Sequence, residues 1–312
     1  MSVYRIHHIT RYRYDRPVKE SMNQLLIYPV SDHSQEILEH EISISHDPDV
    51  YTFIDFWGNK CGAFSLLDAH KELTINNRLV IRTLRLEKTR TVEGNWQQLM
   101  QQEVDNNLLL HELTFPDSIK NQNKIDAILQ ELSEKTDLVV LLEKCNEYIY
   151  KNFAYIKGIT DIETTVDEIL EHRSGVCQDF AHVLLQLLRT MNIPCRYVSG
   201  YICPNRNGMR GEGATHAWVE TYIPGQGWRG LDPTNNIWVS DSHIKLAVGR
   251  NFKDCTPVKG TYKGPAIAVL SVYVSVGYED GNQFEDNNDV QMQAQLFMEK
   301  PSPLMEMEQQ QQ

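Results

Sequence analysis

The stretch RSGVCQDFAHVLLQLLRTM, residues 173–191, decides how the rest of the chain is arranged. From Cys177 onward, apolar residues leave almost no polar face at a 3.6-residue period, which is typical of a helix buried on most sides. Asn192-Ile193-Pro194 ends this helix, and residues 195–202 are predicted to form a strand. The sequence therefore predicts a buried helix that carries a cysteine in its first turn.

That cysteine, Cys177, is a candidate nucleophile. The unpaired amide groups and partial positive charge at a helix N-terminus favour a thiolate over a thiol, and a neighbouring imidazolium adds to this preference. Gly175, just before the helix, is expected to let a substrate backbone come close. The alternative is an ordinary buried cysteine with a packing role.

Two histidines are candidates for the base that would serve Cys177. His182 lies on the same helix, about 140° around it at 3.6 residues per turn, so it is predicted to face away from the thiol and to be structural. His216 begins the alternating run HAWVETY, residues 216–222, which ends in a turn-rich segment at 223–227. His216 is therefore the preferred base.

The length of the loop after that run decides which side chains share a face with His216. If residues 223–227 form the loop, Tyr222 faces Trp228. Continuing this register puts His216 diagonally across from Asp232 on one face, with about 7–8 Å between backbones. An aspartate that accepts from one ring nitrogen fixes the tautomer and leaves the other nitrogen for the thiol. From the residues alone, the alternative stays open that Asp232 simply starts a turn.

The composition restricts the class of protein. With 312 residues, 41% hydrophobic and 23% charged, the chain is typical of a globular protein with two domains or one elaborated domain. No apolar run approaches the roughly 18 residues of a membrane span, so no membrane partner is expected. Six scattered cysteines and a polar first stretch predict reduced thiols and a cytoplasmic location.

Charge is distributed unevenly along the chain. The formal net charge is −12, but residues 279–308 hold eight acids against Lys300, which leaves −5 for the preceding residues. Binding to nucleic acid needs clustered lysine and arginine, and the chain has no such basic stripe. No nucleic-acid partner is therefore expected.

The residue pattern divides the chain into three segments. Residues 1–90 contain short alternating runs separated by turns, which predict an N-terminal antiparallel β-sandwich domain. Residues 96–278 have helical periods before the central helix and strand-like runs after it, which predict the catalytic core. Residues 279–312 are acidic and rich in glutamine and are predicted to be a weakly ordered tail. The predicted fold class is α+β.

Seven motifs along the chain carry a family resemblance. They are Arg173–His182 (RSGVCQDFAH), Arg196–Tyr201 (RYVSGY), Thr215–Glu220 (THAWVE), Gly227–Thr234 (GWRGLDPT), His8–Asp15 (HITRYRYD), Asp55–Asn59 (DFWGN) and Ala247–Phe252 (AVGRNF). Together they resemble the bacterial transglutaminase-like superfamily. The likeness covers residues 1–278 and includes the N-terminal β domain of that family.

The resemblance implies a papain-like, transglutaminase-like α+β core in which the nucleophile helix packs on an antiparallel sheet. It implies that Cys177 is the nucleophile, that His216 is the base and then the acid, and that Asp232 orients His216. Such a site attacks an amide carbonyl and passes the acyl group from a thioester to water or to a second amine. The resemblance calls for no metal and no organic cofactor.

Three side chains and one backbone group are candidates for binding the oxyanion or the substrate. The backbone amide of Cys177 suits a developing negative charge at a helix start. Tyr155 resembles an aromatic position that precedes the cysteine in this family and would supply a hydroxyl, although core packing explains it equally well. Gln178 and Trp218 belong to the matched motifs and complete the set.

The leading hypothesis is a cysteine peptidase or amidase that hydrolyses a peptide or protein substrate, because water needs no second binding site. Protein-glutamine transamidation and a non-catalytic binding scaffold are the alternatives. The loop at 204–214, which is rich in glycine and arginine, is either a lid beside His216 or a plain surface loop.

Overall fold

The computed structural model describes residues 2–132, 137–160, 163–203, 209–211, 215–278, 283–284 and 290–293, and it confirms the α+β class. The N-terminal region is an antiparallel β structure, as predicted. Its first five strands are β1 (Val3–Leu25), β2 (Gln35–Ile44), β3 (Tyr51–Ile54), β4 (Lys60–Leu66) and β5 (His70–Thr83).

Strand β1 organises this region because its 23 residues belong to two sheet portions. Its first half pairs with β5, and its second half pairs with β4, with a register shift between Arg13 and Val18. An apolar cluster fills the space between the two portions and includes Leu25, Phe64 and Ile75. The two portions thus pack face to face around β1, as in a β-sandwich.

Four later strands complete this sheet. Two of them come from the segment 96–278, which was predicted as the core, and two come from the segment 279–312, which was predicted as a tail. They are β13 (Val258–Lys263), β14 (Ala268–Tyr278), β15 (Gln283–Phe284) and β16 (Val290–Gln293). Both β13 and β14 pair antiparallel with β1, and β15 and β16 pair with β14. The sequence did not predict these pairings, because an alternating pattern indicates a strand but does not show which distant strand it will bond to. The rest of the tail lies outside the described residues.

The core lies between β5 and β13 in the chain. Its helices are α1 (Trp96–Asp105), α2 (Leu108–Glu112), α3 (Gln122–Leu132), α4 (Leu138–Asn152), α5 (Val166–His172) and α6 (Cys177–Thr190). Its strands are β6 (Ala154–Tyr155), β7 (Ser174–Gly175), β8 (Cys195–Ile202), β9 (Thr215–Ile223), β10 (Gly227–Asp232), β11 (Ile237–Trp238) and β12 (His243–Gly249). A 3₁₀ turn follows at Phe252–Asp254.

Helix α6 is the centre of the core, as the sequence predicted. It packs against an antiparallel sheet of strand order β11-β10-β9-β8-β12. Its apolar residues are buried because helices cover the faces that the sheet leaves free. The buried apolar residues of α6 are Phe180, Ala181, Val183, Leu184, Leu185, Leu187 and Leu188. No helix within the described ranges has the length and apolar character to cross a membrane.

Strand β12 is an edge strand, and side-chain amides of the N-terminal region bind its outer backbone. Gln35 Nε2 donates to Lys245 O at 2.8 Å, and Gln35 Oε1 accepts from Lys245 N at 2.8 Å. Asn59 does the same at Val248, with distances of 2.7 and 2.8 Å. Both amides are buried. They supply the hydrogen bonds that a neighbouring strand would supply, and we call this pair of contacts the amide clasp.

A buried ion network lies beside the amide clasp. Glu220 contacts Lys245 at 2.6 Å and Arg196 at 2.6 Å, and Lys245 also contacts Asp32 of the N-terminal region at 2.9 Å. Burial alone would raise the pKa of Glu220, but the positive charges of Lys245 and Arg196 outweigh burial and lower it to about 2. The network therefore keeps its charges balanced at neutral pH.

Removing either half of the amide clasp is expected to destabilise the protein. Gln35→Ala or Asn59→Ala leaves a buried backbone N–H and C=O without partners, and we expect each to lower the free energy of unfolding by about 1–3 kcal/mol. Urea denaturation measures the change. Gln130→Ala removes an exposed amide from α3 and serves as the control. Equal effects in control and clasp variants would contradict the assignment.

The ion network predicts a specific loss of stability in acid. Because the folded pKa of Glu220 is depressed, its contribution is present above the unfolded pKa of about 4.3 and is lost as pH falls through about 2. Glu220→Gln should lower the free energy of unfolding at pH 7 by about 3–5 kcal/mol and flatten the acid dependence. Glu147→Gln breaks an exposed pair with Lys151 and is the control. Denaturation at pH 7, 4 and 3 tests this, and unchanged acid dependence in Glu220→Gln would refute it.

Candidate active site

Cys177 is the first residue of α6, as predicted, and its side chain is partly exposed. The helix start is capped by Asp179, whose buried carboxylate accepts from Val176 N at 2.7 Å and from Thr160 Oγ1 at 2.6 Å. An acid in the first turn is favourable at the positive end of a helix. The capping role of Asp179 was not predicted from the sequence, although the third helical position is where a capping carboxylate is expected.

Gly175 is required by Asp179. A Cβ atom at Gly175 would lie 2.4 Å from Asp179 Oδ2, which is closer than real Cβ contacts allow. From the sequence, Gly175 was expected to let a substrate backbone come close. The structure gives a different reason, because the capping carboxylate occupies the space that a side chain would need.

The hairpin of β9 and β10 has the predicted register. Trp228 pairs with Tyr222, and the pairing continues to Leu231 opposite Val219. This parity puts His216 and Asp232 on one face, where His216 Nε2 lies 2.9 Å from Asp232 Oδ2. Both side chains are fully buried.

Asp232 accepts hydrogen bonds at both carboxylate oxygens. Oδ1 accepts from Thr234 N at 2.9 Å and from Asn235 N at 3.3 Å. Oδ2 accepts from Asn235 Nδ2 at 2.8 Å, from His216, and from His243 Nε2 at 3.2 Å. Burial would raise the pKa of Asp232, but the two histidines outweigh burial and hold it well below its usual range. Asp232 is therefore an anion in a dry site.

His216 is held in one orientation by this anion. Burial would lower the pKa of His216, but the negative charge of Asp232 and the neighbouring Cys177 raise it instead, which favours the protonated ring. Its other nitrogen, Nδ1, is buried and has no hydrogen-bond partner among the residues that the structure describes. This nitrogen is thus available to the thiol of Cys177, which lines the same cleft.

Part of the loop predicted at 204–214 lies against His216. A Cβ atom at Gly211 would lie 3.0 Å from His216 Nδ1 and 3.9 Å from the Tyr155 hydroxyl. Asn235 holds the preceding residue on both sides, because Arg210 N donates to Asn235 Oδ1 at 2.7 Å and Asn235 Nδ2 donates to Arg210 O at 3.2 Å. The same amide therefore binds Asp232 and fixes the backbone beside His216.

Three other residues named from the sequence have distinct positions. Gln178 lines the cleft with Cys177. The Tyr155 phenol has a raised pKa because of burial and the nearby Cys177 charge, so it stays a neutral donor. Its role as an oxyanion donor remains a prediction. Trp218 is 1% exposed and packs behind His216, with ring centroids 6.3 Å apart. Its role in binding the oxyanion or the substrate stays a prediction.

His182 makes the packing and hydrogen-bonding contacts of a structural histidine. Its Nε2 accepts from Phe252 N at 3.3 Å, and its ring packs on Tyr197 at 5.3 Å. Burial lowers the pKa of His182 to about 4, so the ring is neutral. His182 lines the cleft, but among the described residues the histidines that bond to Asp232 are His216 and His243.

The geometry of His216, Asp232 and His243 is that of a hydrogen-bond network. Their ligand atoms lie within 4.8 Å of one another, a spacing that a metal ion tolerates. However, both Nε2 atoms lie within hydrogen-bond distance of Asp232 Oδ2, and an ionised carboxylate oxygen can accept a hydrogen bond from each ring. The arrangement is therefore explained without a metal.

A cleft of about 1530 Å³ connects this site with the N-terminal region. One side carries Cys177, Gln178 and His216. Another part of the lining consists of residues that share one face of the paired strands β1 and β14. Those residues are Thr10, Tyr12, Tyr14, Ala268, Leu270 and Val272.

Comparison with known proteins identifies two matching families. The family model described as transglutaminase-like superfamily matches residues 126–233, and the one described as bacterial transglutaminase-like N-terminal region matches residues 4–82. An uncharacterized protein of Mycobacterium leprae is 31% identical over 276 residues, which cover 87% of this chain and 97% of that protein.

Two further proteins share the fold or part of the sequence. A crystal structure of a "putative cysteine protease" from Cytophaga hutchinsonii aligns with a TM-score of 0.70 at 20% identity, over 93% of this chain and 96% of that one. A protein-glutamine gamma-glutamyltransferase of Pseudomonas aeruginosa is 32% identical over 120 residues, which cover 36% of this chain and 18% of that protein.

The contact between Gly175 and Asp179 can be tested by a double-mutant cycle. Gly175→Ala forces the capping carboxylate away, and we expect the free energy of unfolding to fall by about 1–3 kcal/mol. In an Asp179→Gly background the added methyl group no longer meets Oδ2, Cγ or Cβ of residue 179, so the same substitution should cost clearly less. Urea denaturation of the four proteins gives the coupling. Additive effects would contradict the contact.

Proposed function

The chain belongs to the transglutaminase-like superfamily, whose chemistry is cysteine-dependent acyl transfer, and from this premise we propose that it hydrolyses peptide or amide bonds at Cys177. His216 is the proposed base and acid, and Asp232 is the proposed orienting residue. The observation that carries the proposal is the 2.9 Å contact between His216 Nε2 and Asp232, which leaves Nδ1 for the thiol. A catalytic triad needs this division of the two ring nitrogens.

The first half of the reaction forms a thioester. The Cys177 thiolate attacks the amide carbonyl carbon, a C–S bond forms, and the carbonyl oxygen becomes an oxyanion. Amide groups of the first turn of α6 are suited to bind this oxyanion, and the Tyr155 hydroxyl is a further candidate. The protonated His216 gives its Nδ1 proton to the amide nitrogen as the C–N bond breaks, and the amine leaves.

The second half returns the enzyme to its starting state. Neutral His216 accepts a proton from water at Nδ1 while the water oxygen attacks the thioester carbon. The C–S bond then breaks, the carboxylic acid product leaves, and the thiolate faces the imidazolium again. Asp232 stays ionised throughout and stabilises the imidazolium whenever it forms.

Two features favour water over an amine as the acceptor. Water needs no second binding site, whereas an amine does. In addition, Gly211 lies against His216 Nδ1 and restricts the space beside the base, which suits a small acceptor. The relative from Pseudomonas aeruginosa is a transferase, so transamidation is the second candidate function.

The cleft suggests an extended peptide as the substrate. Its volume of about 1530 Å³ exceeds that of a typical small-molecule pocket. Tyr12, Leu270 and Val272 give the wall that β1 and β14 contribute an apolar and aromatic character. We propose that this wall binds substrate side chains, which gives the N-terminal region a part in substrate recognition.

Peptide hydrolysis is tested with a proteome-derived peptide library and mass spectrometry. We expect cleavage that Cys177→Ala abolishes and that Asp232→Asn lowers by about 10⁴-fold. Cys203→Ala, which removes a fully buried thiol elsewhere, is the matched control and should retain activity.

Two outcomes would contradict parts of this proposal. If a primary amine such as monodansylcadaverine captures the acyl group in preference to water, hydrolysis is wrong and transamidation is supported. If cleavage persists in Cys177→Ala, the thiol mechanism is wrong. An inert protein whose Cys177 alkylation is unaffected by His216→Ala would support the binding scaffold.

A further inference from the structure

We propose that His243 is a positioning residue of the site, a second histidine that donates Nε2–H to Asp232 Oδ2 and so fixes the carboxylate that orients His216. The inference rests on the proposed function of Cys177, His216 and Asp232. His243 matches none of the motifs that carry the family resemblance. It is fully buried, and its Nε2 lies 3.2 Å from Asp232 Oδ2.

The tautomer of His243 follows from its other nitrogen. Ser240 N lies 3.4 Å from His243 Nδ1, and a backbone N–H can only donate. Nδ1 is therefore an acceptor, so the ring hydrogen is on Nε2 and points at Asp232. The Ser242 hydroxyl, also 3.4 Å from Nδ1, is free to donate to the same atom.

The charge of His243 suits a positioning role. The charged groups around it are Asp232, His216 and Asp241. Burial lowers its pKa, and the contact with Asp232 does not restore it, so the ring is neutral at neutral pH. A neutral donor holds the carboxylate without cancelling its charge, which leaves that charge to stabilise the His216 imidazolium. A cation at the same place would compete with His216.

His243 also connects the site with the N-terminal region. It is the first residue of β12, two residues before Lys245, whose backbone the Gln35 amide binds. The ring of Trp218 packs on His243 with centroids 5.3 Å apart and on His216 at 6.3 Å, so the two imidazoles share one rigid support. The geometry of Asp232 thus depends on a strand that the N-terminal region holds in place.

The test measures alkylation of Cys177 by iodoacetamide between pH 4 and 10, with Cys177→Ala as the blank. At pH 6 a free thiol is almost wholly protonated, so reactivity there reports the thiolate that His216 stabilises. His243→Phe keeps a planar ring but removes the donor, and we expect the rate at pH 6 to fall about tenfold. His243→Gln keeps an N–H donor and should restore most of the rate.

Controls separate positioning from stability and from the proposed function. His40→Phe removes a histidine that bonds to Asn77 at 2.8 Å in the N-terminal region, and it should leave the alkylation profile unchanged. Circular dichroism confirms folding of each variant. If His216→Ala and Asp232→Asn change the profile but His243→Phe does not, His243 has no positioning role. If none of the three changes it, the proposed function itself is wrong.

Proton NMR provides an independent measurement, because the chemical shift of the His216 Nε2–H proton reports its hydrogen bond to Asp232. Hydrogen-bonded Nε2–H protons of His216 and His243 are protected from exchange because both rings are buried. We expect two downfield imidazole signals: His243→Gln removes one and leaves that of His216 close to its original position, whereas His243→Phe removes one and shifts that of His216. An unshifted His216 signal in His243→Phe would overturn the inference.

Discussion

An ionised carboxylate without access to water must have its charge satisfied by the protein, and Asp232 imposes this requirement on the core. Taking an anion out of water costs several kcal/mol unless donors surround it. Thr234, Asn235, His216 and His243 supply those donors from three separate parts of the chain. The position of His216, the course of the backbone at Arg210 and the start of β12 all follow from satisfying one anion.

The N-terminal region is part of this arrangement rather than an appendage. The amide clasp replaces a missing strand at the edge of the core sheet, and the Glu220 network adds charge pairing across the same interface. Backbone groups at a buried sheet edge must find hydrogen-bond partners, and here the amides of Gln35 and Asn59 supply them. The interface between the N-terminal region and the core therefore depends on specific hydrogen bonds as well as on apolar packing. The cleft lies where the two regions meet, and both therefore determine its shape.

The sequence predicted those elements whose structure depends on local periodicity. Helix α6 and the parity of the β9–β10 hairpin were predicted, because an apolar period and a loop length fix them without knowledge of the fold. His243 and Asn235 were missed because their importance arises only from proximity to Asp232. The strands β13 and β14 were assigned to the core because nothing local shows which strand a β run will pair with. The packing of Trp218 behind His216 was not predicted, because an aromatic residue in a motif does not reveal whether its ring is exposed or buried.

The pairing of β1 with β14 has a consequence for how the protein matures. Tyr4 pairs with Tyr278, so the sheet that begins the chain closes only with a strand made after the whole core. Contacts so distant in sequence form slowly, because a long loop must close before they stabilise anything. During synthesis, the part of the cleft lining that β14 contributes is missing until that strand has emerged. A nascent chain would thus carry its thiol before the cleft around it is finished.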